Sequence, residues 1–560
     1  MSKKILWPFA AGVAGAIGVV ASGVAAGPDG PQFTPVPNPN QKAAGYAPAS
    51  VLGGGLDKFM VAQGSTALEN PSGIVTHFGY ENDTPSAENP AVPQMVPPNP
   101  ATWTEAQKTE PDKNTYLVLR GASGPDGSYD YGSHFVFQGH EGAATVAGKK
   151  QGYITRVNLD ADHLHRVTLM ATQDSNGQPL ATIDGSTWDP WAQRLIFTTE
   201  STSNPTYAAT ATYPSTVEDV SGALGRGGYE GVQKDSAANL WIVEDIGGPN
   251  KQGTPARQPN SFVYRYVPAA SGDLHHGKLQ ALQVLNDAGQ PITFESQAAL
   301  QAPDEVALHT YGKSFDTRWV TVHDTAVDGA TPFNANFAAK AAHATPFKRP
   351  ENGNFRPGIG FREFFFDETG DTNATSPEND TAGGWGSIMK LVQSSPSADT
   401  GKLTMFYKGD MAHSGFDNVT FLSKNRITFV EDAGDTLHTQ RNALDSGYVF
   451  DVSRDNYAGA QPDRWLAEGR DPSATLDSGN GGFGKNDSDN ELTGVHVSDG
   501  DPRPTGILGA KVPHLFTAGW RWFYTEQHGD NRLYEVIAAP RVTGGGDSGS
   551  EDDNGDSNGG

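Results

Sequence analysis

Five short runs of this sequence end on a glutamate in the same way: RLIFTTES (194–201), NLWIVED (239–245), REFFFDETGD (362–371), RITFVED (426–432) and RWFYTEQHGD (521–530). Each passes from a polar residue through a few mostly apolar ones to Glu200, Glu244, Glu368, Glu431 or Glu526. A lone acid after such a run is usually the first solvated position of a turn. Several acids brought to one place would raise one another's pKa and call for a cation. The chemistry these residues suggest is metal binding.

The elements that carry them are strands, because the runs are rich in β-branched and aromatic side chains. The glutamates are separated by 44, 124, 63 and 95 residues, which suits a unit of roughly 45–65 residues that is sometimes skipped, the length of a propeller blade. Equivalent strands of a β-propeller end at one face around a central channel. The expectation is an all-β chain, a β-propeller of six or seven blades with the metal site in the central channel. Length favours seven, and 67 Gly and 38 Pro between short strand-like runs agree with a turn-rich all-β fold.

Other acids and histidines fall near strand ends. SHFVFQGHEG places His140 and Glu141 there, and GRGGYEGV sets Glu230 between glycines. KRPEN gives Arg349 and Glu351; HSGFDN gives His413 and Asp417; NELTGVH gives Glu491 and His496; EQHG gives His528. Oxygen-only groups fit Ca²⁺, whereas a mixed histidine and carboxylate set fits Mn²⁺, Fe or Zn²⁺. Arg226 and Arg349 could hold the oxygens of an anionic group with paired donors, or equally serve as salt bridges to the acids.

The formal net charge of −25 argues against nucleic acid or an anionic membrane as partner. Residues 1–26 carry Lys3, Lys4, an apolar Gly/Ala/Val stretch and small residues near Ala26. They read as a signal peptide, with a retained anchor as the alternative, so no stable membrane insertion is expected after cleavage and a periplasmic or secreted location is. There is no cysteine, which leaves core packing and metal ions to stabilise an exported fold. Residues 27–113 are expected as a Pro-rich extended segment, 114–541 as the propeller and 542–560 as a disordered acidic tail.

The ordered series GSTWDPWAQRLIFTTES, GRGGYEGV with LWIVED, FKRPE, FDNVTF with ITFVED, and NELTGVH with EQHG resembles the secreted β-propeller phosphatases of the PhoX type, over about residues 180–540. The resemblance implies a channel site with several Ca²⁺ and a redox-active metal pair that hydrolyses phosphoric esters. By motif it makes Glu200, Glu230, Glu351 and Glu431 ligands, with Asp417 and Glu491 behind them. The PhoX phosphatases use a cysteine to bridge two irons; this chain offers only Ser201 after Glu200, so a thiolate-bridged iron pair is excluded. The chain is also similar to the propeller phosphotriesterases with a two-manganese centre of Glu and His side chains, for which His413, His496 or His528 could supply imidazole. The implied enzyme is a metal-dependent phosphoric ester hydrolase with a Mn or Fe pair, Ca²⁺ and a small-molecule phosphoester substrate. A water activated between two ions would serve as nucleophile. Triesters are expected to be preferred, in an apolar pocket built from the Trp- and Phe-rich strand ends. The rival readings are a calcium-stabilised, non-catalytic binding or scaffold propeller and a propeller hydrolase acting on lactones or sugars.

Overall fold

The computed structural model describes residues 30–41, 50–79 apart from 65 and 74, 109–294 apart from 142–143 and 147–148, 299–454, 459–469, 491–517, 519–527 and 531–540. The segments read as signal peptide and acidic tail, together with His528, lie outside the described residues.

Alternating apolar and polar positions, punctuated by Gly and Asx turns, fold the chain into consecutive antiparallel meanders. Six of them form blades. Blade 1 runs from the inner strand Pro111–Val118 through His134–His140 and Ile154–Asn158 to Val167–Ala171. Blade 2 comprises Ser186–Asp189, Arg194–Phe197, Tyr207–Ala209 and Val217–Asp219. Blade 3 comprises Tyr229–Lys234, Leu240–Glu244, Val263–Pro268 and Gly277–Leu285; blade 4 comprises Gly353–Phe355, Glu363–Glu368, Ser387–Gln393 and Thr400–Lys408. An extra strand, Phe315–Asp324, pairs with the outer strands of both and joins them into one nine-stranded sheet.

Blade 5 comprises Phe416–Phe421, Arg426–Glu431, Ser446–Asp451 and Asp463–Ala467, with Val51–Leu52 on its edge. Blade 6 takes Glu491–Ser498, Arg521–Gln527 and Arg532–Ala538 from the end of the chain and its outermost strand, Leu56–Ala62, from the beginning. Part of the Pro-rich segment thus completes a blade, and pairing chain start with chain end closes the ring. The inner strands neighbour one another in blade order, and that of blade 6 lies beside that of blade 1. Side chains stitch this ring: Asn114 donates to the Gly494 carbonyl (2.5 Å), and Ser186 bonds Thr115 (2.9 Å). Among the described residues six blades close the circle, so the count is six and the seven that length favoured is not met, because long loops and the extra strand between blades 3 and 4 take up the additional chain.

The core lies between blades. Trp241 packs edge-on against Trp319 and Phe355 between blades 3 and 4, and Trp465 meets Trp522 at 4.4 Å between blades 5 and 6. Such pairs add about 0.5–1.5 kcal/mol each beyond their buried area. The aromatic residues of the second strands are therefore spent on blade packing and do not wall a substrate pocket. Residues 501–511 run across one end of the channel, where Ile507 joins the blade 3–4 core and Trp188 Nε1 donates to the Pro502 carbonyl (2.8 Å). The inner strands begin at the other end.

Candidate metal centre in the channel

That other end is acidic because five inner strands carry a carboxylate at the same position, at or just before their start. Strand pairing aligns Asp112, Asp184, Glu230, Glu351 and Asp417, each two residues before the point where regular pairing with the second strand sets in. Three of the five sit within a local irregularity in the ladder, the kind of bulge that re-aims a side chain beside a site. In blade 6 the aligned position is Gly494, at φ +60°, where a Cβ would come within 2.8 Å of Asn114 Nδ2. The sixth acid is missing where blade 6 closes on blade 1.

These acids meet with two from the second strands. Ligand oxygens of Asp112, Glu141 and Asp184 converge within 4.8 Å of one another; so do those of Asp184, Glu200 and Glu230, and those of Glu230, Glu351 and Asp417. Asp184 and Glu230 each belong to two triads. Burial, reinforced by neighbouring carboxylates, holds Asp112, Asp184, Glu200 and Glu230 well above the usual carboxylate range. Glu200 lies close to Glu141, and Asp417 to Glu230, and carboxyls so paired call for a proton or a cation between them. Asp184 Oδ1 is buried with no hydrogen-bond partner among the described residues. A crowd of acids in this state is one that divalent cations would stabilise, and an all-oxygen donor set fits hard ions such as Ca²⁺, Mg²⁺ or Mn²⁺.

Neutral and cationic side chains order the crowd. Asn352 Nδ2 donates to Glu230 Oε1 (3.0 Å) and Asp417 Oδ1 (3.2 Å), and its Oδ1 accepts from Lys113 Nζ (2.7 Å). Lys113 is wholly buried; burial lowers its pKa, against the opposing pull of Asp417 and Asp112. Arg349, at φ +57°, grips Asp245 through Nε (3.0 Å) and Nη2 (2.7 Å) and reaches Glu351 at 3.0 Å. Burial alone would lower the Arg349 pKa, but Asp245 and Glu351 outweigh it and hold it well above its ordinary value.

Of the residues read from sequence, Glu200, Glu230, Glu351 and Asp417 come together, Arg349 stands among them, and Glu491 lies close enough for Asp112 and Asp417, among others, to help burial raise its pKa. The others go elsewhere. Glu431 accepts from Arg441 Nη1 (2.9 Å) and Nη2 (3.1 Å), Ser414 N (3.0 Å) and Ser446 N (2.9 Å), which saturates the carboxylate inside blade 5. Glu244 and Glu368 do the same work in blades 3 and 4: the first accepts from Phe262 N and Tyr264 Oη, the second from Lys348 N and Ser387. Glu526 bonds Ser50 and Lys58 on the N-terminal segment.

The five glutamates are therefore not equivalent. Glu200 stands one register position beyond Glu244, Glu368 and Glu431, level with Asp245, Thr369 and Asp432. A shift of one residue changes the face of a strand, so Glu200 points into the channel while the other three point into their blades.

His413, His496 and Arg226 are also displaced from the site. His413 pairs with Asp410 (2.9 Å) and packs on Tyr448. His496 faces the closed end, where burial and then Lys113 lower its pKa to about 3. Among the described residues the convergent ligand groups contain carboxylates only. Arg226 pairs with Asp219 (3.2 Å) on the outermost strand of blade 2. Asp112 and Asp184 were missed; a hydrophobic residue or proline, an acid, then Gly, Asn or Lys recurs in PDK, IDG, YEG, PEN and FDN and marks all five.

Fold and site define a six-bladed propeller with a carboxylate-lined channel mouth. The family model for alkaline phosphatase PhoX matches residues 253–502, from blade 3 to the inner strand of blade 6. Pseudomonas fluorescens PhoX, solved in complex with vanadate, a transition state analogue, is similar at TM-score 0.51 and 11% identity, over 90% of this chain and 98% of that one. The resemblance read from the ordered motifs is thus to the PhoX phosphatases, in sequence over the matched region and in fold over the whole propeller. Looser similarity, at TM-scores of 0.29 and 0.27, extends to the Pseudomonas aeruginosa periplasmic gluconolactonase (13% identity, 76% of this chain and 100% of that one) and to a glucose dehydrogenase (11%, 64% and 96%). No curated protein matches the chain. No helix among the described residues is long and apolar enough to cross a membrane.

Proposed function

We propose that this chain is a metal-dependent hydrolase of phosphoric esters, exported to the periplasm or beyond, with its reaction at the acidic mouth of the channel. The observation that carries the reading is the sharing of Asp184 and Glu230 between adjoining triads. Shared carboxylates suit cations set side by side, as in two-metal hydrolysis. The PhoX family match supports the choice of substrate chemistry.

Divalent cations bound there would supply Lewis-acid activation of water and of a phosphoryl oxygen. The chain's own part is to hold and orient. Asn352 fixes Glu230 and Asp417 in one frame. Arg349 spends Nε and Nη2 on Asp245 and Glu351, while its Nη1 bonds none of the described residues and is a donor open to a phosphoryl oxygen.

The purely oxygen donor set also favours a second reading, a calcium-stabilised propeller without chemistry. Protein stripped of metal and refilled with Ca²⁺ or Mn²⁺, assayed on an aryl phosphate monoester and a dialkyl aryl triester across ionic strength, decides between them. The hydrolase reading expects turnover of at least one ester that is lost on stripping and returns on refilling. Thermal stabilisation by Ca²⁺ with no turnover of either ester would establish the scaffold.

A further inference from the structure

Three consecutive second strands, in blades 3, 4 and 5, leave the channel mouth through Asp245, Thr369 and Asp432, and the loops that follow border an open cavity of about 500 Å³. Asn250, Thr254, Arg257, Asp371, Asn373 and Thr436 line it together with small residues and no large apolar side chain. The cavity adjoins the candidate metal centre through the backbone: Asp245 is held by Arg349, Thr369 N donates to the Arg349 carbonyl (2.8 Å), and Ala433 of the lining follows Asp432. A broader cleft of about 750 Å³ beside residues 163–166 lies at the opposite face and has no such connection.

Arg257 gives this cavity its character. Its backbone N donates to Asp371 Oδ1 (2.9 Å), but its guanidinium has no ion pair or hydrogen bond among the described residues, in a chain of net charge −25. The one carboxylate in the lining, Asp371, is turned to other partners: it accepts from Ser376 Oγ (2.6 Å) and from Lys348 Nζ (3.2 Å), a lysine it shares with Glu378 and Glu305. The guanidinium lies against Gly247, two residues past Asp245, where a Cβ would stand 2.7 Å from Nη1. A free, half-buried guanidinium among amide and hydroxyl donors is suited to a planar anion.

We infer that this cavity receives the organic portion of the substrate, and that this portion is polar and carries a second anionic group, a carboxylate or a second phosphate, paired with Arg257. The inference rests on the phosphoester reading of the channel and narrows its substrate class, away from neutral triesters and toward dianionic or more highly charged monoesters of hydroxy acids or polyols.

The test uses the full-length, metal-loaded protein. Equilibrium binding of 3-phosphonopropionate is compared with that of ethylphosphonate by calorimetry, alongside turnover of the phosphate ester of a hydroxy acid and of phenyl phosphate. Wild type should bind the phosphonocarboxylate at least tenfold more tightly than ethylphosphonate. That preference should fall about tenfold or more in Arg257→Gln, fall less in Arg257→Lys, and fall in Gly247→Ala, whose added methyl displaces the guanidinium. The preference in turnover should shift in the same order. Equal binding of the two phosphonates by folded wild type, or a preference unchanged in Arg257→Gln, would overturn the assignment. Selective, Arg257-dependent binding without turnover of either ester would support the pocket while refuting the hydrolase reading.

Discussion

The carbonyl oxygen of Glu230 lies 1.8 Å from where a Cβ on residue 185 would stand, so Gly185 lets blades 2 and 3 approach until Asp184 and Glu230 share a triad. No side chain larger than hydrogen fits there, and the Thr198 hydroxyl is within reach of the same position. Gly185→Ala is expected to push the two inner strands apart. It should destabilise the fold by about 1–3 kcal/mol, the usual cost of overpacking, and weaken cation binding more than tenfold. Calorimetric titration of stripped protein with Ca²⁺ and a thermal melt, run together, check both effects. Binding unchanged from wild type would mean that the triads do not depend on this approach.

Glu200 and Glu431 end similar strands and are predicted to fail differently when neutralised. Glu431→Gln leaves buried Arg441 with Asp445 as its remaining carboxylate, so the loss should lie toward the lower end of the about 3–5 kcal/mol that breaking a buried pair costs. Glu200→Gln removes a half-buried ligand from the channel, so its deficit should appear in metal affinity and turnover with little change in melting temperature. Urea unfolding and metal titration of the two variants compare them. The opposite pattern, with Glu431→Gln stable but metal-deficient, would restore Glu431 to the metal site.

Burial lifts the Glu244 carboxyl to about 7, partly opposed by Asn336 and Tyr264. The unfolded chain releases this proton near pH 4.5, so the folded state holds more protons between the two values. Stability from this group is present at low pH and lost as pH rises through 7, reaching about 3 kcal/mol at alkaline pH. Glu244→Gln, which mimics the protonated form, should therefore gain stability relative to wild type between pH 5 and 9. A difference that does not vary with pH would contradict the assignment.

The same sign applies to the channel, where burial and mutual repulsion raise Asp184, Glu230 and Glu351. Chelated protein should melt at higher temperature at pH 5.5 than at pH 8, because protons take the place of cations. Refilling with Ca²⁺ at a hundredfold excess over Kd should add about 2.7 kcal/mol at pH 8 and flatten the pH dependence. A melting temperature insensitive to chelation at pH 8 would count against cations in the channel.

The propeller was legible because its repeat is local: each meander is built from neighbouring runs, and the acidic strand ends mark blades 2 to 6. The contribution of Leu56–Ala62 to blade 6 was not, since pairing across more than 470 residues leaves no local signature. The site was legible only in part. Glu230, Glu351 and Asp417 sit in glycine- or asparagine-rich motifs that stand out, whereas the recurring glutamates were aligned by residue type, and register separates Glu200 from Glu431 by one position. Histidine spacing misled because His413 and His496 follow the demands of a turn and of the channel floor.

Cation stoichiometry and turnover of Glu230→Gln beside wild type, purified in parallel and loaded under the same conditions, test the shared-carboxylate channel most directly. Glu230 serves two triads, so the account predicts more than one divalent ion per wild-type chain, loss of more than one in the variant, and phosphoester turnover reduced by at least a hundredfold while circular dichroism stays unchanged. A folded Glu230→Gln protein with full metal content and full turnover would contradict it.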